Sequence, residues 1–176
     1  QYDEAPYVGM FKSAYIFTDY DHAKRFYESE SGQALYDDLA EKLGIRPLAV
    51  NYYGNRHVHL TGIDREIMTP EDMKGIKLRM PGGPAWLALG EALGVSPTPV
   101  DFNEVYMALK TGTIDGQDNG LVTSKSMAFY EVADEVIMTG HLVWNLHIAM
   151  NENKWQSLND QQQAWINEAV TIASEN

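Results

Sequence analysis

From Lys74 to Asn119 the chain alternates short apolar runs with glycine and proline stops, and this punctuation limits its fold more than any other feature. Lys74-Gly-Ile-Lys-Leu-Arg-Met-Pro81 contains a strand, Ile76 to Met80, halted by Pro81-Gly-Gly-Pro84. Trp86 to Leu93 reads as a helix ended by Gly94, and Val95 to Val100 as an extended piece interrupted by prolines. Residues 102 to 111 form a second helix that stops at Gly112, with Asp101 and Glu104 spaced as a capping pair. Thr113 to Asn119 is a third extended stretch. Strands alternating with helices of about ten residues predict parallel β–α units and an α/β fold.

The flanks continue the alternation. Asp19 to Leu43 predicts two short helices, broken at Ser29, Ser31 and Gly32 and closed by a left-handed Gly44. Pro47 to Tyr53 is a strand that Gly54-Asn55 should end, followed by a loop from His57 to Ile67. Thr69-Pro-Glu-Asp72 has the form of a capped first turn, with proline at its first position and acids at the positive end of the helix dipole. Phe129-Tyr-Glu-Val132 sits on or beside a helix, and Val136 to Met138 and Leu146 to Met150 read as short strands. Asn159, with Gln162 as reciprocal partner, opens a helix in which Trp165 and Ile172 fall at helical spacing.

Several chemistries are excluded by composition. A net charge of −12 with scattered basic residues disfavours nucleic acid and anionic membrane surfaces. The chain has no cysteine, so disulfides, thiolate metal sites and thiol nucleophiles are ruled out. No apolar run approaches the roughly 20 residues that a membrane-spanning helix needs. There is no Gly-x-Ser-x-Gly elbow and no phosphate-cradling glycine loop.

In open α/β sheets ligands sit beyond the carboxyl ends of strands, where Tyr53, Arg79, Asn119 and Trp144 fall. Arg79 alternates with Leu78 and Met80, so its guanidinium points away from theirs. There it either grips a carboxylate through two parallel hydrogen bonds or joins a surface ion pair. Asn119 offers an amide to a ligand or serves a turn. His57 and His59 would face one side of a strand, the arrangement of some metal sites, which keeps open an alternative reading as a metal-dependent α/β hydrolase. No third ligand stands at useful spacing.

One further pattern selects among these readings. Met68-Thr-Pro-Glu-Asp-Met-Lys-Gly75, the run from Ile76 to Pro81, Gly94 to Asn119, Phe129-Tyr-Glu-Val132 and Thr139-Gly-His141 occur as an ordered series over about half the chain. This series resembles the solute-binding subunits of TRAP transporters, the DctP-like family. The resemblance implies a two-lobed α/β protein of type II periplasmic-binding architecture, here incomplete. Residues 1–54 and 145–176 would belong to the first lobe and 55–144 to the second. It also implies a periplasmic receptor without cofactor or catalysis. Such a receptor binds a small organic acid, a sugar acid or an aromatic acid, by its carboxylate between closing lobes and delivers it to a sodium-coupled membrane permease. Arg79 then takes the place of the family's carboxylate anchor, Arg56 of its second basic residue, Asn119 of a ligand-contacting amide and Phe102 of the aromatic that covers one ligand face. Trp144 stands where other members carry small or polar residues. Gly120 replaces the usual proline after the asparagine, and Gly82-Gly83 replaces a polar side chain, which removes one hydrogen bond to ligand hydroxyls.

Overall fold

The structure, a computed structural model, describes Gly9 and residues 13–174. The chain divides into two compact units. One comprises Phe17–Tyr53 and the described part of Asn145–Asn176, and the other Gly54–Trp144 with the described part of Gly9–Ile16.

In the first unit, α1 (Tyr20–Glu28) is capped by Asp19, whose carboxylate accepts from the His22 N–H at 2.7 Å. α2 (Glu30–Leu43) is capped by Ser29, which accepts from the Gly32 N–H. The break between the helices is therefore Ser29 alone. Ser31 and Gly32, expected in the break, lie in the first turn of α2, where a Cβ on residue 32 would meet the Phe26 carbonyl oxygen at 2.2 Å. Gly44 closes α2 in the left-handed region at φ 64°, as its position suggests. The first part of β1 (Ile45–Leu60) follows, and the last part of β5 (Glu135–Asn151) leads into α6 (Glu152–Gln156) and α7 (Asp160–Ser174). Arg46 grips Glu152 with two hydrogen bonds of 2.5 and 2.9 Å, tying the start of β1 to the start of α6. Asn159 and Gln162 cap each other's backbone N–H groups, opening α7 as the spacing predicts. None of the described residues of α7 is buried, and Trp165 and Ile172 both face outward.

The second unit holds a five-stranded sheet in the order β3-β2-β4-β1-β5, with β2 at Lys77–Met80, β3 at Ser96–Pro99 and β4 at Gly116–Gly120. β2 runs parallel to β3 and β4, joined by α3 (Pro84–Ala92) and α4 (Val105–Lys110). β1 runs antiparallel to β4. The parallel β–α units expected from the alternation hold for β2, β3 and β4, and β1 adds an antiparallel pairing that makes the sheet mixed. The cause lies in β1. It does not end at Gly54-Asn55: Gly54 adopts φ 92°, open to glycine, and the strand continues, pairing Arg56–Leu60 with Gly116–Gly120. His57 and His59 are strand residues rather than loop residues. The two short strands expected between residues 136 and 150 are one long strand, β5. Phe129–Glu131 is a single 3₁₀ turn, followed by Val132.

Alternation sorts the side chains onto two faces. Val58, Leu60, Leu78 and Met80 join Trp86, Leu89 and Leu142 in one apolar cluster. Val105, Leu109, Ile114 and Phe129 form another. Arg79, between Leu78 and Met80, points away from the first cluster, in register with Gln117 and thereby with His59.

Candidate functional site

Arg79 has 4% of its surface exposed. Its Nε donates to the Val100 carbonyl at 2.8 Å, and neither terminal nitrogen has an acceptor among the described residues. Burial, and next the charge of Arg56, push its pKa down, whereas Asp118 and Asp101 pull it up. Such a guanidinium is held in a fixed orientation, is poorly solvated and makes no direct ion pair among the described residues. It opens into a cleft of about 510 Å³ lined also by Pro81, Gly82, Pro99, Val100, Asp101 and Glu104. Phe102 lies beside it, with the guanidinium 5.8 Å from the ring centre, and meets Phe129 edge-on at 6.0 Å. Phe102 does not open a capped α-helix as expected. Phe102–Glu104 is a separate 3₁₀ turn, and the Glu104 N–H donates to the Asp101 carbonyl instead of the two side chains capping each other.

Asn119 lies in β4 on the same face as Gln117, is 5% exposed, and donates its amide to Gln117 Oε1 at 2.6 Å. Its own amide oxygen has no partner among the described residues. Gln117 donates to Ser124 Oγ, which lies 3.1 Å from His59 Nε2, and His59 Nε2 is also 3.1 Å from the Asn119 carbonyl. The strand that carries Arg79 is thus flanked by an interlocked set of polar side chains. His57 Nδ1 accepts the Gly140 N–H at 3.0 Å. Burial is the main reason that His57 and His59 have lowered pKa values, which keeps both rings neutral. Both histidines are engaged in hydrogen bonds that order the strands. Among the described residues there is no group of three His, Cys, Asp or Glu side chains able to hold a metal.

Arg56 is a β1 residue, 3% exposed, on the opposite face from His57 and His59. Its Nε contacts both carboxylate oxygens of Asp118 at 3.0 and 3.2 Å, and its Nη2 donates to the Asp118 carbonyl at 2.5 Å. Trp86 and Trp144 both lie against the guanidinium, with ring centres 4.9 and 4.7 Å from it. Trp144 is half-buried and packs against the apolar cluster. Asp118 is fully buried. Burial drives its carboxyl pKa up, but the charge of Arg56 and then His141 outweigh that, and it sits below the ordinary carboxylate range. His141 Nε2 is 3.2 Å from Asp118 Oδ1. Its Nδ1 lies 2.7 Å from Thr139 Oγ1.

Of the residues singled out in the sequence, Arg79, Asn119 and Phe102 therefore gather on one face of this unit's sheet, and Arg56 and Trp144 on the other. Tyr53 lies in the first unit, 40% exposed. Asp118, His141 and Trp86 escaped sequence reasoning. The signal for Asp118 was an acid between two residues of the opposite face, inside a strand where an unpaired carboxylate is costly.

This fold matches known proteins. The chain belongs to the bacterial extracellular solute-binding proteins of family 7, DctP, whose family model matches residues 2–176. It is 40% identical over 156 residues to the sialic acid-binding periplasmic protein SiaP of Vibrio cholerae, covering 89% of this chain and 48% of that protein. A TRAP periplasmic solute-binding protein from Roseobacter denitrificans with bound 3-deoxy-D-manno-oct-2-ulosonic acid superposes with a TM-score of 0.94 at 38% identity, covering 99% of this chain and 58% of that one. Another from Chromohalobacter salexigens with bound D-glucuronate gives 0.90 at 29% identity, covering 99% and 57%. The chain spans about half the length of the relatives it matches. Its fold is the mixed α/β, two-lobed type II architecture of TRAP periplasmic binding proteins, a family of receptors rather than enzymes.

Proposed function

We propose that the protein is a periplasmic receptor of a TRAP transporter that binds a sugar acid, or a similar small organic acid, through its carboxylate at Arg79. The observation that carries this reading is a buried guanidinium whose Nε is fixed by the Val100 carbonyl while both terminal nitrogens lack an acceptor among the described residues. A carboxylate matches that vacant fork, and an anion relieves a cation that burial and Arg56 both disfavour. Asn119 and Phe102 on the same face supply an amide for a ligand hydroxyl and a ring for its apolar edge. Relatives described as binding sialic acid, 3-deoxy-D-manno-oct-2-ulosonic acid and D-glucuronate support the ligand class.

The finer features rest on the family resemblance. That resemblance assigns residues 1–54 and 145–176 to the first lobe and 55–144 to the second, whereas Gly9, residues 13–16 and Gly54 pack with the second compact unit. Ligand capture favours the closed arrangement of the lobes, and a sodium-coupled permease receives the ligand. Native mass spectrometry of the intact protein purified without added ligand, followed by calorimetry with D-glucuronate, 3-deoxy-D-manno-oct-2-ulosonic acid and N-acetylneuraminate, tests the receptor reading. Retention or binding of such an acid is expected. Binding of none of them, with no co-purified carboxylate, would overturn it.

A further inference from the structure

The cleft onto which Arg79 opens is lined by carboxylates as well as by the guanidinium. Asp101 and Glu104, at the two ends of the 3₁₀ turn that carries Phe102, share it with Arg79. Both side chains are exposed, and neither has a side-chain partner among the described residues. Elsewhere around the sheet the charges are already matched: Arg56 and Asp118 form a buried pair, and His57 and His59 are held neutral by burial. Among the described residues that line this cleft, Arg79 is therefore the cation that it offers a ligand, and two anions stand beside it.

We infer that this cleft selects acids that carry a single carboxylate and rejects those that carry two, with Asp101 and Glu104 as the residues that set the selection. The inference rests on the receptor reading above and narrows its ligand class. One carboxylate of the ligand occupies the vacant fork of Arg79. The remainder of the ligand faces Asp101 and Glu104, which accept hydrogen bonds from hydroxyl groups but repel a second anion. A ligand whose far end is a hydroxymethyl group or a ring hydroxyl gains from both acids, and an otherwise identical ligand ending in a carboxylate loses those bonds and meets like charge. With an effective dielectric of about 20 near the surface, the repulsion amounts to about tenfold or more in affinity.

Gluconate and glucarate isolate the effect, because they share six carbons and their hydroxyl pattern but differ in one terminal carboxylate. Calorimetry on the intact protein should show gluconate binding about tenfold or more tighter than glucarate, with a smaller ratio at high salt. In the Asp101→Asn/Glu104→Gln double variant the ratio should fall to about threefold or less, and Asp101→Asn alone should give an intermediate ratio. Both positions are exposed, and circular dichroism checks that the variants are folded. Equal affinities of the unaltered protein for the two acids would overturn the inference, as would a ratio that the double variant leaves unchanged. Failure of every acid to bind would overturn the receptor reading and this selection with it.

Discussion

Replacing Asp118 by asparagine removes one charge from the interior of the second unit and changes almost nothing in volume. In the native protein Asp118 and Arg56 have side-chain exposures of 0% and 4% and are 3.0 Å apart. Two indoles flank the guanidinium, so little water can replace the lost anion. Asparagine still offers an oxygen to Arg56 Nε, but the ionic part of the interaction is lost and Arg56 remains buried. Breaking a buried pair from one side costs about 3–5 kcal/mol, and the retained hydrogen bond places Asp118→Asn near the lower end, about 3 kcal/mol. With a urea m value of about 2 kcal/mol per molar, the unfolding midpoint should fall by about 1.5 M at pH 7 with the slope unchanged. An Arg56→Met/Asp118→Leu double variant should lose less than the single variant, because no unpaired charge remains. A loss below about 1 kcal/mol for Asp118→Asn, or a double variant worse than the sum of its parts, would refute the view that these two charges neutralise each other.

Three other outcomes follow from the same contacts. Acid should destabilise the protein in two stages. His57 and His59 have folded pKa values below their ordinary 6.5, so the unfolded state takes up their protons first and stability declines as the pH drops below that value. Asp118 has a folded pKa below its ordinary 3.8, so its contribution is present above that value and is lost as the pH falls further. Unfolding midpoints measured from pH 8 to 3 check both stages, and a flat profile between pH 7 and 5 would contradict the first. Trp144→Ala opens one side of the Arg56 cage and should cost about 2–3 kcal/mol in stability while weakening aromatic and linear acids alike; a loss confined to flat acids would instead place Trp144 against the ligand. Glu152→Gln breaks the bidentate pair with Arg46 and should lower stability by about 1 kcal/mol in urea titration, because the pair is only partly buried.

Some local signals in the chain held, although the spaced Asp101 and Glu104 gave a 3₁₀ turn without reciprocal side-chain caps. Gly44 and the Asn159–Gln162 pair each depend on residues within three or four positions, and each occurs as the spacing indicates. The placement of Arg79 was legible for the same reason, since Leu78 and Met80 fix its face by alternation alone. Gly54-Asn55 misled because a turn-like dipeptide carries only a local preference, and β1 passes through it to gain a ladder with Gly116–Gly120, sixty residues away in sequence. From that one error followed the mistaken loop that took in His57 and His59. Asp118 stayed hidden for the same cause: its partner Arg56 becomes a neighbour only through the antiparallel register of β1 and β4. The single strand β5 was likewise divided in the sequence, because its continuity through Thr139-Gly140 depends on neighbours distant in the chain.

The receptor reading stands or falls on Arg79. The decisive measurement is calorimetry of the intact protein and its Arg79→Ala and Arg79→Lys variants against whichever sugar acid binds the unaltered protein. Each charge-assisted hydrogen bond contributes about 1.5–3 kcal/mol, so loss of a two-pronged grip should weaken binding by about a hundredfold or more in Arg79→Ala. Lysine restores the charge but not the fork, and should recover only part of the loss. Affinity within about threefold of the original in Arg79→Ala, in a variant that remains folded, would contradict the account, because the cation facing this cleft would then have no part in holding the acid.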